Sequence, residues 1–351
     1  MTETSLSTSQ KMARLALVGG LPLALVLLFL WAGGWLAPQR LSADKIVAQL
    51  QKAGGEHPGF RRNHAKGICV TGSFISSGNA RAVSRAALFA PGTTPVIGRF
   101  AIAGGNPAAP DYAVPVRSMA LSFQLADGEQ WRTGMNAMPF FPVATPQGFY
   151  DLQVASQPDP ATGKPDPAKM QALAQAHPEI KAFAAWAKQY VPSSSWASDR
   201  FNSLNAFRFS DAAHHERLVR WSMLPQTPRQ PISAEEKQDK GFLQKDLEQR
   251  LAQGPLKWDL VITLAQAGDS GRDASQAWPA DRQTIDAGTL VLNQATPQQQ
   301  GTCNDINYDP LILPDGIAAS DDPLLNARSA AYAKSYNART REQAHQNGEP
   351  L

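Results

Sequence analysis

From residue 15 to residue 36 the chain reads LALVGGLPLALVLLFLWAGGWL, an apolar run without a charged side chain. A helix needs about 20 apolar residues to cross a bilayer core, so this run is long enough to span one. A cleavable signal peptide is the competing reading, but its apolar region usually covers about 7–15 residues and ends at a small-residue cleavage site. No clean small-x-small site precedes Gln39, and Trp31 and Trp35 stand where an interfacial aromatic belt belongs. The expectation is an uncleaved, single-pass anchor. Lys11 and Arg14 lie just before the run and favour a cytoplasmic N-terminus, a bias that Arg40 and Lys45 behind it make modest. The rest of the chain then faces the periplasm, from the cytoplasmic (inner) membrane.

Beyond the anchor the periodicity changes twice. Residues 41–53 read as a short helix started by Ser42 or Asp44 and stopped by Gly54-Gly55. From Ile68 to Phe149, short β-branched and aromatic segments (ICVTGSF, VIGRFAIA, SMALSFQLA) alternate with Gly, Pro, Asn and Asp clusters, which predicts an antiparallel sheet or barrel. Residues 165–191 switch to helical spacing, with Met170, Leu173, Ala174, Ile180, Phe183, Trp186 and Ala187 as the apolar positions. Strands resume with LNAFRFSD, ERLVRWSMLP, LKWDLVITLAQA and AGTLVLNQ; the charged stretch 232–252 predicts a surface helix, and 323–341 a final one. The organisation is therefore α+β: a cytoplasmic N-terminus and anchor over 1–37, one folded domain over 38–341, and a polar tail over 342–351.

Charge and cysteine usage narrow the chemistry. A net charge of +3 without a basic stripe gives no reason to expect a nucleic-acid partner. Cys69 and Cys303 belong to no C-x-x-C pair, so a zinc or thiol-redox motif is not expected. An oxidising compartment would permit a disulfide, but the default reading is two buried free thiols. Gly268-Asp269-Ser270-Gly271 spells a serine-protease nucleophile signature, and Ala212-Ala213-His214 weakly matches the histidine motif of the same enzymes. Such short strings recur by chance, and GDSGRDASQ is polar enough to be a surface loop. His214 and His215 have no acidic or cysteine cluster around them in sequence, so a turn is the simpler reading.

The last helix carries the stronger constellation. Arg328 and Tyr332 stand four apart on one face, and Arg339 falls on the same face seven residues later. Tyrosine is a known axial ligand of haem iron and binds as phenolate, a form that ferric iron and an adjacent guanidinium both favour. A guanidinium also matches a propionate carboxylate in shape and charge. Taken alone, the segment is also what an ordinary amphipathic helix looks like.

It does not stand alone. Arg61-Arg-Asn-His64-Ala65-Lys66-Gly67 resembles the distal histidine motif of the catalase superfamily, and the chain is most similar to its short catalase-related peroxidases. Further matches follow in family order: Pro95 to Phe100, Gly134-Met-Asn136-Ala-Met-Pro-Phe140-Phe141, Asn205 to Phe209, Trp278-Pro279, Ala287 to Asn293, and Asn307-Tyr308-Asp309-Pro310 through Tyr332. The resemblance covers about residues 45–341. It implies an antiparallel β-barrel of about eight strands with helices around it and haem b between barrel and proximal helix. It further implies His64 and Asn136 as catalytic residues, Tyr332 as the iron ligand, and Arg61, Arg99, Phe141, Phe149, Arg328, Tyr332 and Arg339 as the cofactor-binding set.

Departures from the family pattern temper this. Gapless matching puts Met135 where the distal Asn is expected, with Asn136 one residue later. Ala101 replaces the Ser that bonds the distal His, Pro115 the channel aspartate, and Tyr336 the His four residues after the proximal Tyr. A catalase's long N-terminal arm and C-terminal helical domain do not fit in this length, which implies a wider route to the haem. The expected function is reduction of hydrogen peroxide, and of organic peroxides, with small organic donors. The alternatives are a true catalase and a non-enzymatic haem-binding protein. The oligomeric state is left open, a dimer being one option.

Overall fold

The computed structural model describes residues 7–33, 40–346 and 348. The apolar run forms helix α1 (Thr8–Ala32), which is capped by Ser7 and contains no buried residue. It is long and apolar enough to cross a membrane. Trp35 and the 37/38 boundary lie outside the described residues.

Helix α2 (Ala43–Gly54) turns Ile46 and Val47 inward. Ten strands follow, interrupted by helices: β1 (Gly67–Ser76), β2 (Gly92–Ile102), β3 (Arg117–Gln124), β4 (Gln130–Asn136), then α3 (Pro146–Ala155), α4 (Pro167–Ala176) and α5 (Ile180–Gln189). Next come β5 (Phe201–Asn202), β6 (Phe207–Ser210), β7 (Glu216–Pro225), α6 (Phe242–Gln253), β8 (Leu256–Leu264), β9 (Thr284–Pro297), β10 (Ile317–Ala319) and α7 (Pro323–Gln346). Strands β7, β5, β4, β3, β2, β1, β9 and β8 pair in that order, and β8 pairs back onto β7. The sheet is a closed, eight-stranded antiparallel barrel, with β6 and β10 added at one side. Closure removes the exposed edges that an open sheet would leave.

Alternation along the strands decides what faces where. Val96, Phe100 and Ile102 of β2, Met119, Leu121 and Phe123 of β3, and Trp131 and Met135 of β4 all enter one apolar core. Aromatic rings fill it: Trp131 stacks on Phe123 at 5.0 Å and meets Trp221 edge-on at 4.9 Å. The residues between them, among them Arg99, Ala101, Ser118, Ala120, Gly134 and Asn136, therefore face outward. Helix α7 covers this outer wall, with α2 packed against it.

Three expectations change. The helical stretch 165–191 is two helices, broken at His177-Pro178, because proline cannot continue a ladder that needs its amide. The charged stretch 232–252 holds only a 3₁₀ turn over Glu236–Gln238 before Gly241. Helix α6 then begins at Phe242, buries Phe242, Leu243 and Leu247, and presents the Leu243 amide to the buried carboxylate of Asp111 at 3.0 Å. Helix α7 runs on to Gln346, because Glu342 pairs with Arg62 and Gln343 donates to the Gly59 carbonyl at 3.1 Å.

The cysteines differ as well. Cys69 and Cys303 are not free thiols but a disulfide that ties β1 to the segment after β9. Outward alternation puts Cys69 on the wall that this segment crosses. Gly301 makes the approach possible, since a Cβ there would stand 2.5 Å from the Cys69 sulfur. A bridge joining residues so distant in sequence stabilises by about 2–4 kcal/mol. Cys303→Ala is expected to lower the unfolding free energy by about that amount in a denaturant titration. Reduced wild-type protein should fall to the same value.

Candidate active site

The segment before β1 places the histidine. His64 occupies the left-handed region at φ 55, a conformation that few non-glycine residues adopt and that clusters at functional sites. Asn63 holds it there: its side-chain oxygen accepts from the His64 amide at 2.9 Å and from the Gly104 amide at 2.7 Å. Arg99, from β2, donates to the His64 carbonyl at 2.6 Å. The imidazole is thus fixed from behind, and its ring enters a cleft between the outer barrel wall, α2, α3 and α7.

At one end of this cleft three side chains form a chain of contacts. The Ser118 hydroxyl lies 3.0 Å from His64 Nδ1 and bonds the Asn136 side-chain oxygen. Desolvation, joined by the positive charges of Arg99, Arg328 and Arg61, pushes the His64 pKa down to about 3, against one opposing hydrogen bond to the backbone of Ile102. The ring is therefore neutral at physiological pH.

Two residues back along β4, Gly134 meets a different group. A Cβ at Gly134 would stand 3.4 Å from the Tyr332 hydroxyl and 3.3 Å from the Arg328 guanidinium, so both groups pack directly against this point of the strand. Arg328 donates to the Gly134 carbonyl at 3.1 Å and bonds Asn205. The Asn205 amide donates in turn to Asp322 at 2.8 Å, and Asp322 accepts from the Leu324 amide at 2.9 Å as α7 starts at Pro323. One strand thus touches the histidine cluster through Asn136 and the tyrosine cluster through Gly134. Positions two apart on a strand are separated by about 7 Å, the thickness of a flat aromatic system with van der Waals contact on both sides.

The third part of the site is charge. Arg61, Arg99 and Arg339 converge where α7 passes the segment between β9 and β10, and none has a carboxylate ion-pair partner among the described residues. Arg61 donates to the carbonyls of Cys303 at 3.0 Å and Ile306 at 3.1 Å, Arg99 to Gln298 at 2.8 Å, and Arg339 to Asn304 at 3.1 Å. Nη1 of Arg61 and Nε of Arg339 are buried without a partner. Burial and mutual repulsion lower the Arg61 pKa to about 10 and depress that of Arg99. Gathering cations away from water is unfavourable unless an anion completes the site. A flat dicarboxylate fits: ring in the slot, carboxylates on the arginines.

Every residue of the expected catalytic and cofactor-binding set reaches this one cleft: Arg61, His64, Arg99, Asn136, Phe141, Phe149, Arg328, Tyr332 and Arg339. Phe141 and Phe149 stand with ring centroids 5.8 Å apart on its apolar side. Met135, the gapless match to the distal Asn, packs in the barrel core at 1 % exposure. Sequence reasoning missed Ser118, Gly134 and the apolar face of α2 (Ile46, Val47, Leu50), because each becomes visible only through strand register or helix packing. The protease-like strings do not assemble: Asp269 pairs with Arg282, and His214 bonds Arg85. No cluster of metal-ligating side chains surrounds His214 and His215 among the described residues.

Comparison with known proteins agrees with this architecture. The catalase family profile matches residues 37–347. The chain belongs to the catalase family. It is 42 % identical over 303 residues to the catalase-related peroxidase of Synechococcus elongatus, covering 86 % of this chain and 89 % of that protein. With the catalase-related peroxidase of Mycolicibacterium paratuberculosis it shares 31 % identity over 304 residues, covering 86 % and 95 %. Among solved structures, catalase A from Saccharomyces cerevisiae superimposes with a TM-score of 0.72 at 20 % identity, covering 81 % of this chain and 62 % of that one. Catalase-family proteins bind haem, and the flat slot with its arginine cluster fits that group.

The low pKa of His64 ties stability to acidity in the haem-free protein. An unfolded chain takes up the histidine proton near pH 6.5 and the folded one only near pH 3. The contribution is present above pH 6.5 and lost as pH falls through that window. His64→Asn, which tolerates the left-handed backbone, should flatten the slope of unfolding free energy against pH between these values. An unchanged slope would show that the imidazole is protonated in the folded state.

Proposed function

We propose that this chain is a haem peroxidase, reducing hydrogen peroxide, and organic peroxides, with small organic electron donors. The observation that carries the reading is the convergence of His64, Tyr332 and three cations, without carboxylate partners among the described residues, on a single slot against the barrel wall. Tyr332 would hold the iron of haem b as phenolate, with Arg328 as its neighbouring cation. Arg61, Arg99 and Arg339 would hold the propionates, and Phe141 and Phe149 would pack against the ring. Haem bound there supplies the redox centre.

The protein's own part is binding, exclusion of water and proton movement. Neutral His64 accepts a proton from one oxygen of peroxide and returns it to the other, which leaves as water; this is general acid–base work for an imidazole. Asn136 orients the same molecule. Overall, hydrogen peroxide and two electrons with two protons from the donor give two waters. The preference for organic donors over dismutation rests on the short relatives, whose lengths this chain nearly spans, against 62 % of the yeast catalase.

We also infer that α1 anchors the protein in the cytoplasmic membrane with the haem domain on the periplasmic side. Two features support it: the length and composition of α1, and the Cys69–Cys303 disulfide, a bond rare in reducing cytosol.

Tyr332→Phe is expected to lose haem or shift the ferric absorption spectrum. His64→Ala should keep haem yet slow the peroxide-induced spectral change by about 10²–10⁴-fold. Purified wild-type protein should oxidise an aromatic donor on peroxide addition and release little oxygen. Rapid oxygen release with no donor oxidation would instead identify a catalase, and haem retained without turnover a carrier.

A further inference from the structure

We propose that Ser118 is a positioning residue that fixes both distal groups at once, leaving His64 with a bare Nε2 and Asn136 with an amide N–H for the same peroxide. The inference rests on the cleft being a peroxide-handling haem site. It starts from strand register. Ala101 pairs with Ser118 across β2 and β3, and Ser118 with Asn136 across β3 and β4. The three side chains form one row on the outer wall. The family's serine, two residues after the propionate arginine, is Ala101 here, and the hydroxyl arrives from the next strand instead.

A serine hydroxyl has one proton to give. Ser118 Oγ contacts Asn136 Oδ1, which can only accept, and lies 3.0 Å from His64 Nδ1. The proton therefore goes to Asn136, and Oγ must accept from His64, so Nδ1 carries the ring's proton. In a neutral imidazole this leaves Nε2 as a lone-pair acceptor. On Asn136, Oδ1 is engaged and Nδ2 is left to donate. One hydroxyl thus prepares an acceptor and a donor, the pair that a bound H–O–O–H molecule needs. With the amide flipped, Asn136 Nδ2 would donate to Ser118, the hydroxyl proton would be free to go to Nδ1, and Nε2 would then carry the ring proton and could not act as an acceptor.

The test uses the full-length, haem-loaded protein with Ser118→Ala and with the double variant Ser118→Ala/Ala101→Ser, which moves the hydroxyl to the paired position. Cyanide is the probe, because hydrogen cyanide binds ferric haem by giving its proton to the distal base. Ser118→Ala should retain haem content and Soret position while cyanide affinity and the rate of the peroxide-induced spectral change each fall about 10–100-fold, the usual effect of losing an outer hydrogen bond. The double variant should recover cyanide affinity, since His64 is held again, but not the full peroxide rate, since Asn136 is not. Wild-type values for both readouts in Ser118→Ala would overturn the proposal. Loss of both with no recovery of cyanide affinity would overturn it too, reducing the hydroxyl to packing. Failure of wild-type protein to bind haem would instead remove the peroxidase reading itself.

Discussion

The packed interior of the barrel is the constraint from which the rest follows. Strand side chains alternate with a period of two, so filling the inside with Phe123, Trp131, Trp221 and their neighbours commits every intervening residue to the outer wall. A slip of one residue in β4 would drive Asn136 into that core and expose Met135 to the cleft. The aromatic contacts around Trp131 make such a slip costly, because close-packed rings have nowhere to go. The reactive face is thus specified from behind, by residues that never touch it.

The same rule resolves how a departure from the family motif can leave the site intact. Matched without gaps, Met135 occupies the asparagine's place, and the string alone implies a weakened distal site. Register decides otherwise, since Gly134 and Asn136 share the outer face and the structure brings Asn136 to Ser118 and His64. The loss of serine at Ala101 has a parallel answer one strand away. In an antiparallel sheet, directly paired residues are neighbours in space although far apart in sequence, so a hydroxyl can change strands without leaving its position.

Much of this was legible beforehand. The apolar run, the β segments, the Arg328–Tyr332 pair on the last helix and the His64 motif carry local signals: length, alternation, helical spacing and a short string. β4 was not singled out as a strand, because Gly134 interrupts its alternation and the inward residues are as unlike as Trp131, Thr133 and Met135. The disulfide escaped for a different reason. Cys69 and Cys303 are 234 residues apart, and only the path of the segment after β9 across the outer wall brings them together. Ser118 carries no sequence signal, since its meaning comes from the strands on either side.

Charge links the disulfide to the site. Arg61 is seated by carbonyls of Cys303 and Ile306, and Arg339 by the side chain of Asn304, so the bridged segment holds two of the three cations. Neutral carbonyls and amides can orient guanidinium groups but cannot cancel their charge, so burial first, and then repulsion from neighbouring arginines, lowers the pKa values of Arg61 and Arg99. A dianionic ligand would be bound by groups already oriented and already in need of charge, with little reorganisation left to oppose it. Covalent closure at Cys69–Cys303 would serve binding in that way: it fixes the segment that seats Arg61 and Arg339 before the anion that would make their proximity to Arg99 favourable arrives.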